Sequence, residues 1–385
     1  MEILFLAHRA PFPPDRGDRI RSYNILKYLA ARATVHLAAF VDTPEEAAID
    51  PEYRALLGEC VLVPRGKSRA RAAVEALALG KPVSLTAFDD HRIAQAVSRV
   101  MAGRPIDAIY VYSGQMAQYL PAAAPRAIMD FVDLDSAKFA AYAGAARGPM
   151  AWMMRREARL LGAFERAVAG RVPASLFVSA PEAALLPGGQ AVENGIDTVR
   201  YDPATVSPVA APHPLIVFTG QMDYRPNVDA VTWFAREVLP LLPHAHFAIV
   251  GRAPTASVSA LAGERVTVTG EVADVRGWLA AADVVVAPLH IARGVQNKVL
   301  EAMAMARPVV ASSAAAEGID HAGTIRVADG AAGFADTITR LLADAPGAAA
   351  LGSAARARVI ARYGWEARLA PLDALLGLAK ARQAA

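Results

Sequence analysis

Gly294-Val-Gln-Asn-Lys-Val-Leu-Glu-Ala-Met-Ala-Met-Ala-Arg-Pro-Val-Val-Ala-Ser312 reads as a tight glycine loop, a short helix carrying Glu301, and a buried strand from Pro308 to Ala311. Backbone N–H groups at the start of such a helix favour a phosphate. Glu301 lies seven residues beyond Gly294. A short loop then sets it at a ribose while the helix start meets a diphosphate, and a carboxylate can accept hydrogen bonds from two neighbouring hydroxyls. An ordinary exposed helix acid fits the same spacing.

Outward from this stretch, short apolar runs alternate with longer helical patterns. Ile3–Ala7, Val35–Phe40, Cys60–Val63, Ala108–Tyr112, Ala127–Phe131 and Ser175–Val178 read as strands, as do Leu215–Thr219, His246–Val250, Val266–Thr269, Val284–Ala287 and Thr324–Val327. Helical patterns cover Arg19–Ala31, His91–Met101 and Met150–Ala169, then Asn227–Leu239, Val272–Ala281 and Val295–Ala306. The alternation predicts an α/β protein with parallel sheets covered on both faces. It occurs twice. The break falls at 201–214, where four prolines forbid a continuous helix or a central strand. The expected organisation is a first domain over 1–200, a linker over 201–214 and a second domain over 215–365. Ligands of doubly wound sheets bind beyond the carboxyl ends of the strands, so two such domains facing a central cleft are expected to hold the substrate there.

The bulk properties narrow the possibilities. The chain has 385 residues, 54% of them apolar and 20% charged, with a net charge of +3. Residues 1–200 carry 24 basic against 21 acidic side chains; the remainder carries 16 against 16. That excess is too small to argue for nucleic acid. One cysteine, Cys60, excludes an internal disulfide framework and a cysteine zinc site. No apolar run reaches membrane-span length, and the N-terminus reads as a buried strand rather than a signal peptide. A cytoplasmic protein is expected.

Several constellations could carry chemistry. The first strand runs into Ala7-His-Arg-Ala-Pro-Phe-Pro-Pro-Asp-Arg-Gly-Asp-Arg-Ile-Arg21, a stiff loop opening a helix. Arg16, Arg19 and Arg21 give that opening a cationic character suited to a phosphate or an acceptor, and a solvated helix face fits equally. Asp130, Asp133 and Asp135 end a strand, where a carboxylate could act as a base or hold a sugar hydroxyl. No second acidic or histidine cluster supports a metal site there. Of the histidines, His8 and His290 follow predicted strands. Arginines at 147, 155, 156, 159, 166 and 171, with Arg65, Lys67, Arg69 and Arg71, form either a membrane-facing basic surface or a solvated one paired with Glu157 and Glu165.

Taken in order, the motifs resemble the GT-B glycosyltransferases of family 4, retaining enzymes that use nucleotide sugars. Ala191-Val-Glu-Asn-Gly-Ile-Asp-Thr-Val-Arg-Tyr-Asp-Pro203 is similar to that family's segment before the interdomain linker. Phe218-Thr-Gly-Gln-Met-Asp-Tyr-Arg-Pro-Asn227, Ile249-Val-Gly-Arg252, Val268-Thr-Gly270 and Ala282-Asp-Val-Val-Val-Ala-Pro288 are similar to its donor-domain strand ends. Glu301-Ala-Met-Ala resembles the second half of its paired-glutamate motif. The segments His8–Arg21 and Arg293–Glu301 further resemble the sugar transferases associated with PEP-CTERM/exosortase exopolysaccharide clusters.

The resemblance implies a metal-independent, retaining hexosyltransferase with no cofactor. Its donor would be a UDP- or GDP-sugar, and its acceptor a glycan or a lipid-linked sugar at the inner face of the cytoplasmic membrane. It assigns donor binding to Gly17, Gly220, Arg225, Gly251, Arg293, Gly294, Val295, Lys298 and Glu301. Arg225 and Lys298 neutralise the diphosphate, Asp133 orients donor or acceptor, and His8, Arg16 and Arg19 lie on the acceptor side. A C-terminal helix over 366–385 returns to the first domain. Arg293 stands where the family has an acid, and the family's acceptor-domain histidine falls near Asp133. A sugar-nucleotide 2-epimerase and an inactive nucleotide-sugar-binding protein share the architecture.

Overall fold

A computed structural model describes residues 1–14, 17–122, 124, 126–292 and 295–378 of the chain. It divides into two units, Met1–Asn194 with the segment from Arg368, and Gly195–Ala367.

The first unit is built on a seven-stranded sheet in the order β3-β2-β1-β4-β5-β6-β7. Its strands are β1 (Glu2–Ala7), β2 (Thr34–Val41), β3 (Cys60–Pro64), β4 (Ile106–Tyr112), β5 (Arg126–Val132), β6 (Ala174–Phe177) and β7 (Gly189–Ala191). Every pairing is parallel. Ile3 to Ala7 are all fully buried, because helices cover both faces; such strands read as continuous apolar runs rather than alternating ones. The helix Gly17–Ala30 buries Ser22, Ile25, Leu26 and Leu29, the spacing of one helical face. The helix Arg69–Leu79 is bounded by Ser68, which accepts from the Arg71 N–H, and by Gly80 in the left-handed region at φ 66°. Within the same unit the helix Pro371–Leu376 buries Leu372 and Leu376, and the Tyr28 hydroxyl donates to Asp373 Oδ1 at 2.7 Å. Residues 379–385 of the expected returning helix lie outside the described residues.

The second unit carries a six-stranded parallel sheet in the order β10-β9-β8-β11-β12-β13. The strands are β8 (Leu215–Thr219), β9 (His246–Val250), β10 (Val266–Val268), β11 (Val284–Ala287), β12 (Val309–Ala311) and β13 (Arg326–Val327). Phe234 packs against Phe247 with ring centres 4.6 Å apart, in a core that also holds Phe218 and Phe334. The proline-rich segment 201–214 lies within this unit. The Val209 N–H donates to Gly277 O at 3.1 Å, and Arg356 donates to Tyr201 O at 2.7 Å. Its prolines limit it to one short 3-10 turn, Pro203–Thr205. Among the described residues no helix is long and apolar enough to cross a membrane.

Candidate functional site

In the second unit, the carboxyl ends of β8 and β9 and the start of the helix Asn297–Ala304 surround a pocket of about 470 Å³. Thr219, Gly220 and Gln221 follow from β8, and Gly251 and Arg252 from β9. Glu271 and Val272 come from the loop after β10, with Asn297, Lys298 and Glu301 from the helix and Tyr201 from the proline-rich segment. The strand ends approach each other so closely that a Cβ on Gly251 would lie 1.7 Å from Gly220 O. A Cβ on Gly220 would lie 2.8 Å from Asn227 Nδ2 and 3.1 Å from Lys298 Nζ. Glycine at both positions is therefore a packing requirement.

Lys298 reaches back across the pocket floor. Its Nζ bonds Asn227 Oδ1 at 2.5 Å and lies 4.2 Å from the centre of the Phe218 ring. Asn227 is itself held by its Nδ2, which donates to Gln221 O at 2.9 Å. Burial pulls the Lys298 ammonium down to about 8, partly opposed by the Glu301 charge. Burial also raises the Glu301 carboxyl, against a hydrogen bond from Tyr201 and the charges of Lys298 and Arg200. Arg252 donates to Gln221 Oε1 at 3.0 Å. The Thr219 hydroxyl is buried, lines the pocket and has no hydrogen-bond partner among the described residues. A buried unpaired hydroxyl is costly, so this atom points to a polar ligand group.

The structure brings Gly220, Gly251, Lys298 and Glu301 together at this pocket. Val295 lies just before the helix and packs partly on the core. Arg293 and Gly294 lie outside the described residues, as does Arg16. Arg225 is a correction. It opens the helix Arg225–Trp233, its side chain is 90% exposed, and it pairs with Asp229 one turn on. It does not line the pocket; Arg252 does. Thr219, Asn227, Arg252 and Tyr201 were not singled out from the sequence. Asn227 and Arg252 nevertheless each end a segment that carries the resemblance. His290 packs edge-on against Trp233 at 5.0 Å.

The first unit corrects further expectations. Arg19 is buried and paired with Glu46, so it is not a free acceptor-side cation. Arg21 is buried too. It donates to Asp130 Oδ2 at 2.9 Å and to Asn194 Oδ1 at 3.0 Å. Asp130 also accepts from the Tyr110 hydroxyl and the Val132 N–H, which makes it a structural acid. A Cβ on Gly17 would meet nothing within 4 Å, so packing within the protein does not demand glycine there. His8 stacks on Tyr112 at 5.8 Å and faces Asp18, with Nε2 3.6 Å from Oδ2. Its Nδ1 is buried without a hydrogen-bond partner among the described residues. Asp133 follows Val132, a β-branched residue held at φ 70°, a strained conformation that persists only where its surroundings enforce it. Asp133 is paired with Lys138 at 2.7 Å. Burial lowers the Lys138 ammonium, but Asp133 and Asp135 outweigh it and the net shift is upward. Among the described residues no group of three or more histidine, cysteine or acidic side chains is placed to hold a metal.

The family-model match falls on the same unit. Residues 213–344 match the family model described as glycosyl transferases group 1. No curated protein matches the chain in sequence. Solved structures share its fold nearly end to end. Sucrose-phosphate synthase from Thermosynechococcus elongatus is 20% identical over 97% of this chain and 98% of its own, with a TM-score of 0.57. Anabaena HepE in complex with UDP is 16% identical over 98% and 100%, with a TM-score of 0.59. WaaG, a glycosyltransferase involved in lipopolysaccharide biosynthesis, is 17% identical over 97% and 100%, with a TM-score of 0.56. The fold is GT-B, with two Rossmann-like α/β units. Together with the matched domain, it supports a GT-B glycosyltransferase.

Proposed function

We propose that this chain is a retaining hexosyltransferase of family 4 that moves a sugar from a UDP- or GDP-sugar to a lipid-linked or glycan acceptor. It would act in bacterial surface-polysaccharide synthesis of the PEP-CTERM/exosortase type, at the inner face of the cytoplasmic membrane. The observation that carries the reading is the pocket of the second unit, where an amine, a buried carboxylate and an unpartnered hydroxyl meet at the carboxyl ends of parallel strands. HepE, with the same fold, has been solved with UDP and with UDP-glucose.

In this reading Glu301 holds the ribose hydroxyls, and Tyr201 holds Glu301 in place until they arrive. Lys298, Arg252 and the start of the helix Asn297–Ala304 meet the diphosphate. As the bond from the sugar's anomeric carbon to the β-phosphate oxygen breaks, these groups stabilise the charge left on the diphosphate. The acceptor oxygen forms the new bond to the anomeric carbon and passes its proton to the departing diphosphate oxygen. Asp133, with Lys138, is the acceptor-side pair of the first unit.

The test is thermal-shift binding of UDP, GDP and ADP, each with and without Mg²⁺. A metal-independent shift with UDP or GDP supports the donor site. No shift with any of the three sinks it.

A further inference from the structure

The pocket of the second unit runs across the strand ends, from the loop after β10, past β9 and β8, to the helix that follows β11. Neighbouring strands lie about 4.8 Å apart, so three spacings give it a reach of about 14 Å. An extended nucleoside diphosphate has that length. Lys298 and the start of the helix Asn297–Ala304 hold one end, where the diphosphate is placed. The base then falls at the other end, beside Glu271, Val272 and Val275. Tyr201, which bonds Glu301, lies in the field of both Glu301 and Asp274, so the ribose acid and the loop after β10 are neighbours.

That loop is fixed before a ligand arrives. The Thr269 N–H donates to Ile249 O at 3.1 Å. The Thr269 hydroxyl accepts the Gly251 N–H at 3.4 Å and donates to Gly270 O at 2.8 Å. Gly270 then turns the chain at φ 66°, a conformation that glycine adopts without strain. Val272 and Val275 are half-buried and pack on the core of the unit, so they offer an apolar wall to a flat base. Two acids line the pocket among the described residues, Glu271 and Glu301. Glu301 receives Tyr201. Asp274, three residues beyond Glu271, accepts the Arg276 N–H at 2.9 Å and pairs with its guanidinium at 2.6 Å. Glu271 is exposed and has no hydrogen-bond or ion-pair partner among the described residues.

We propose that Glu271 reads the base of the donor, that the base is guanine, and that the donor is a GDP-sugar. An ionised carboxylate only accepts hydrogen bonds. On its pairing edge guanine carries two adjacent donors, N1–H and the 2-amino group, which match the two oxygens of one carboxylate. Uracil carries a single N3–H between two carbonyl oxygens, so a carboxylate there gains one donor and is repelled by an acceptor on either side. Adenine and cytosine each set one amino donor beside a ring nitrogen that accepts. The same side chain thus attracts guanine and opposes the other bases, and discrimination draws on both effects. The inference rests on the donor pocket of the proposed function and chooses between the two nucleotides that reading allows.

The test is titration calorimetry of GDP, IDP and UDP on the full chain. IDP is GDP without the 2-amino group, so this comparison needs no variant. GDP should bind about tenfold or more tightly than either IDP or UDP, because hydrogen bonds to a charged acceptor are the strong ones. Glu271→Gln keeps the shape of the side chain but sets an amide donor beside a single acceptor, the pattern that suits uracil. In that variant the advantage of GDP over IDP should shrink to within about twofold, and UDP affinity should rise by about twofold or more. Equal affinity of the unaltered chain for GDP and IDP, tighter binding of UDP than of GDP, or a GDP preference that survives Glu271→Gln would overturn the base assignment. Each of these leaves the donor site standing if Lys298→Met still weakens the nucleotide that binds. No binding of any of the three would sink the donor site itself, and this inference with it.

Discussion

Lys298 Nζ sits 2.5 Å from Asn227 Oδ1, and Asn227 is in turn fixed by Gln221 O. A flexible ammonium is thereby held in one place before a ligand arrives, which reduces the ordering cost of binding.

Burial leaves the Lys298 ammonium with a pKa of about 8. It is charged below that value and neutral above it. A bound diphosphate favours the charged form, so the Lys298 contribution to UDP or GDP affinity should be level on the acid side of about 8 and fall above it, with proton uptake on binding. Titration calorimetry in buffers of different ionisation enthalpy reads that uptake. Lys298→Met should cost about 1.5–3 kcal/mol, roughly 10- to 150-fold in affinity, and abolish the alkaline fall.

Glu301 supplies the opposite limb. Its carboxyl is raised by burial, and only the ionised form accepts two hydroxyl hydrogen bonds. Affinity should therefore decline as pH falls through that raised value, and Glu301→Gln should flatten this decline relative to wild type. The stability effect has the other sign. The folded state holds the proton to higher pH than the unfolded chain does. Glu301 thus favours folding at low pH, and this contribution is lost as pH rises through the folded value. Binding isotherms and urea melts from mildly acidic to neutral pH separate the two. Parallel slopes of affinity and stability would contradict the ribose role.

Gly251 makes a backbone approach that no side chain tolerates, since its Cβ would fall 1.7 Å from Gly220 O. Gly251→Ala must move the ends of β8 and β9 apart. We expect a loss of about 1–3 kcal/mol in urea unfolding and a loss of nucleotide binding beyond the effect of Lys298→Met. Wild-type binding in a folded Gly251→Ala protein would show that the ligand does not sit at this crossing.

Arg252 and Arg225 offer a direct contrast. Arg252 lines the pocket, whereas Arg225 is exposed to solvent beside Asp229. Arg252→Met should lower nucleotide affinity by roughly tenfold, and Arg225→Met by less than about twofold, because an exposed pair one helical turn apart contributes little. Equal losses would return Arg225 to the site.

What the sequence made legible follows from locality. The central strands of both sheets are short continuous apolar runs buried on two faces, and that composition marks them without any partner; the edge strand β7, with the sequence Gly-Gln-Ala and largely exposed, carries no such run and was not read. The glycines after β8 and β9 and the Lys298–Glu301 pair are likewise local patterns. Arg19 and Arg21 were illegible because their partners are remote: Asp130 lies 109 positions from Arg21, and nothing near either arginine signals burial. Glu157 and Glu165 mislead for the same reason. Their spacing suits pairing along a helix, yet Val83, Ser84 and Ser136 N–H groups claim them. Arg225 misled in the reverse direction, since proximity in sequence to β8 did not carry its side chain into the pocket lining.

The Arg21–Asp130 pair is the sharpest test of the first unit's interior. Asp130 is fully buried and receives Arg21, Tyr110 and the Val132 N–H. Asp130→Ala leaves a guanidinium buried without its counter-charge and a phenol without its acceptor. The expected loss is about 3–5 kcal/mol, read as a lower urea midpoint for the first unit with nucleotide binding by the second unit retained. Removing both charges and the hydroxyl together, as Arg21→Met, Asp130→Leu and Tyr110→Phe, should recover most of that loss. Burying two charges is itself expensive, and well-packed apolar groups of similar volume can replace them. If the triple variant is as unstable as Asp130→Ala, the network is needed to hold Val132 in its left-handed conformation, and the strain ahead of Asp133 is maintained by this acid.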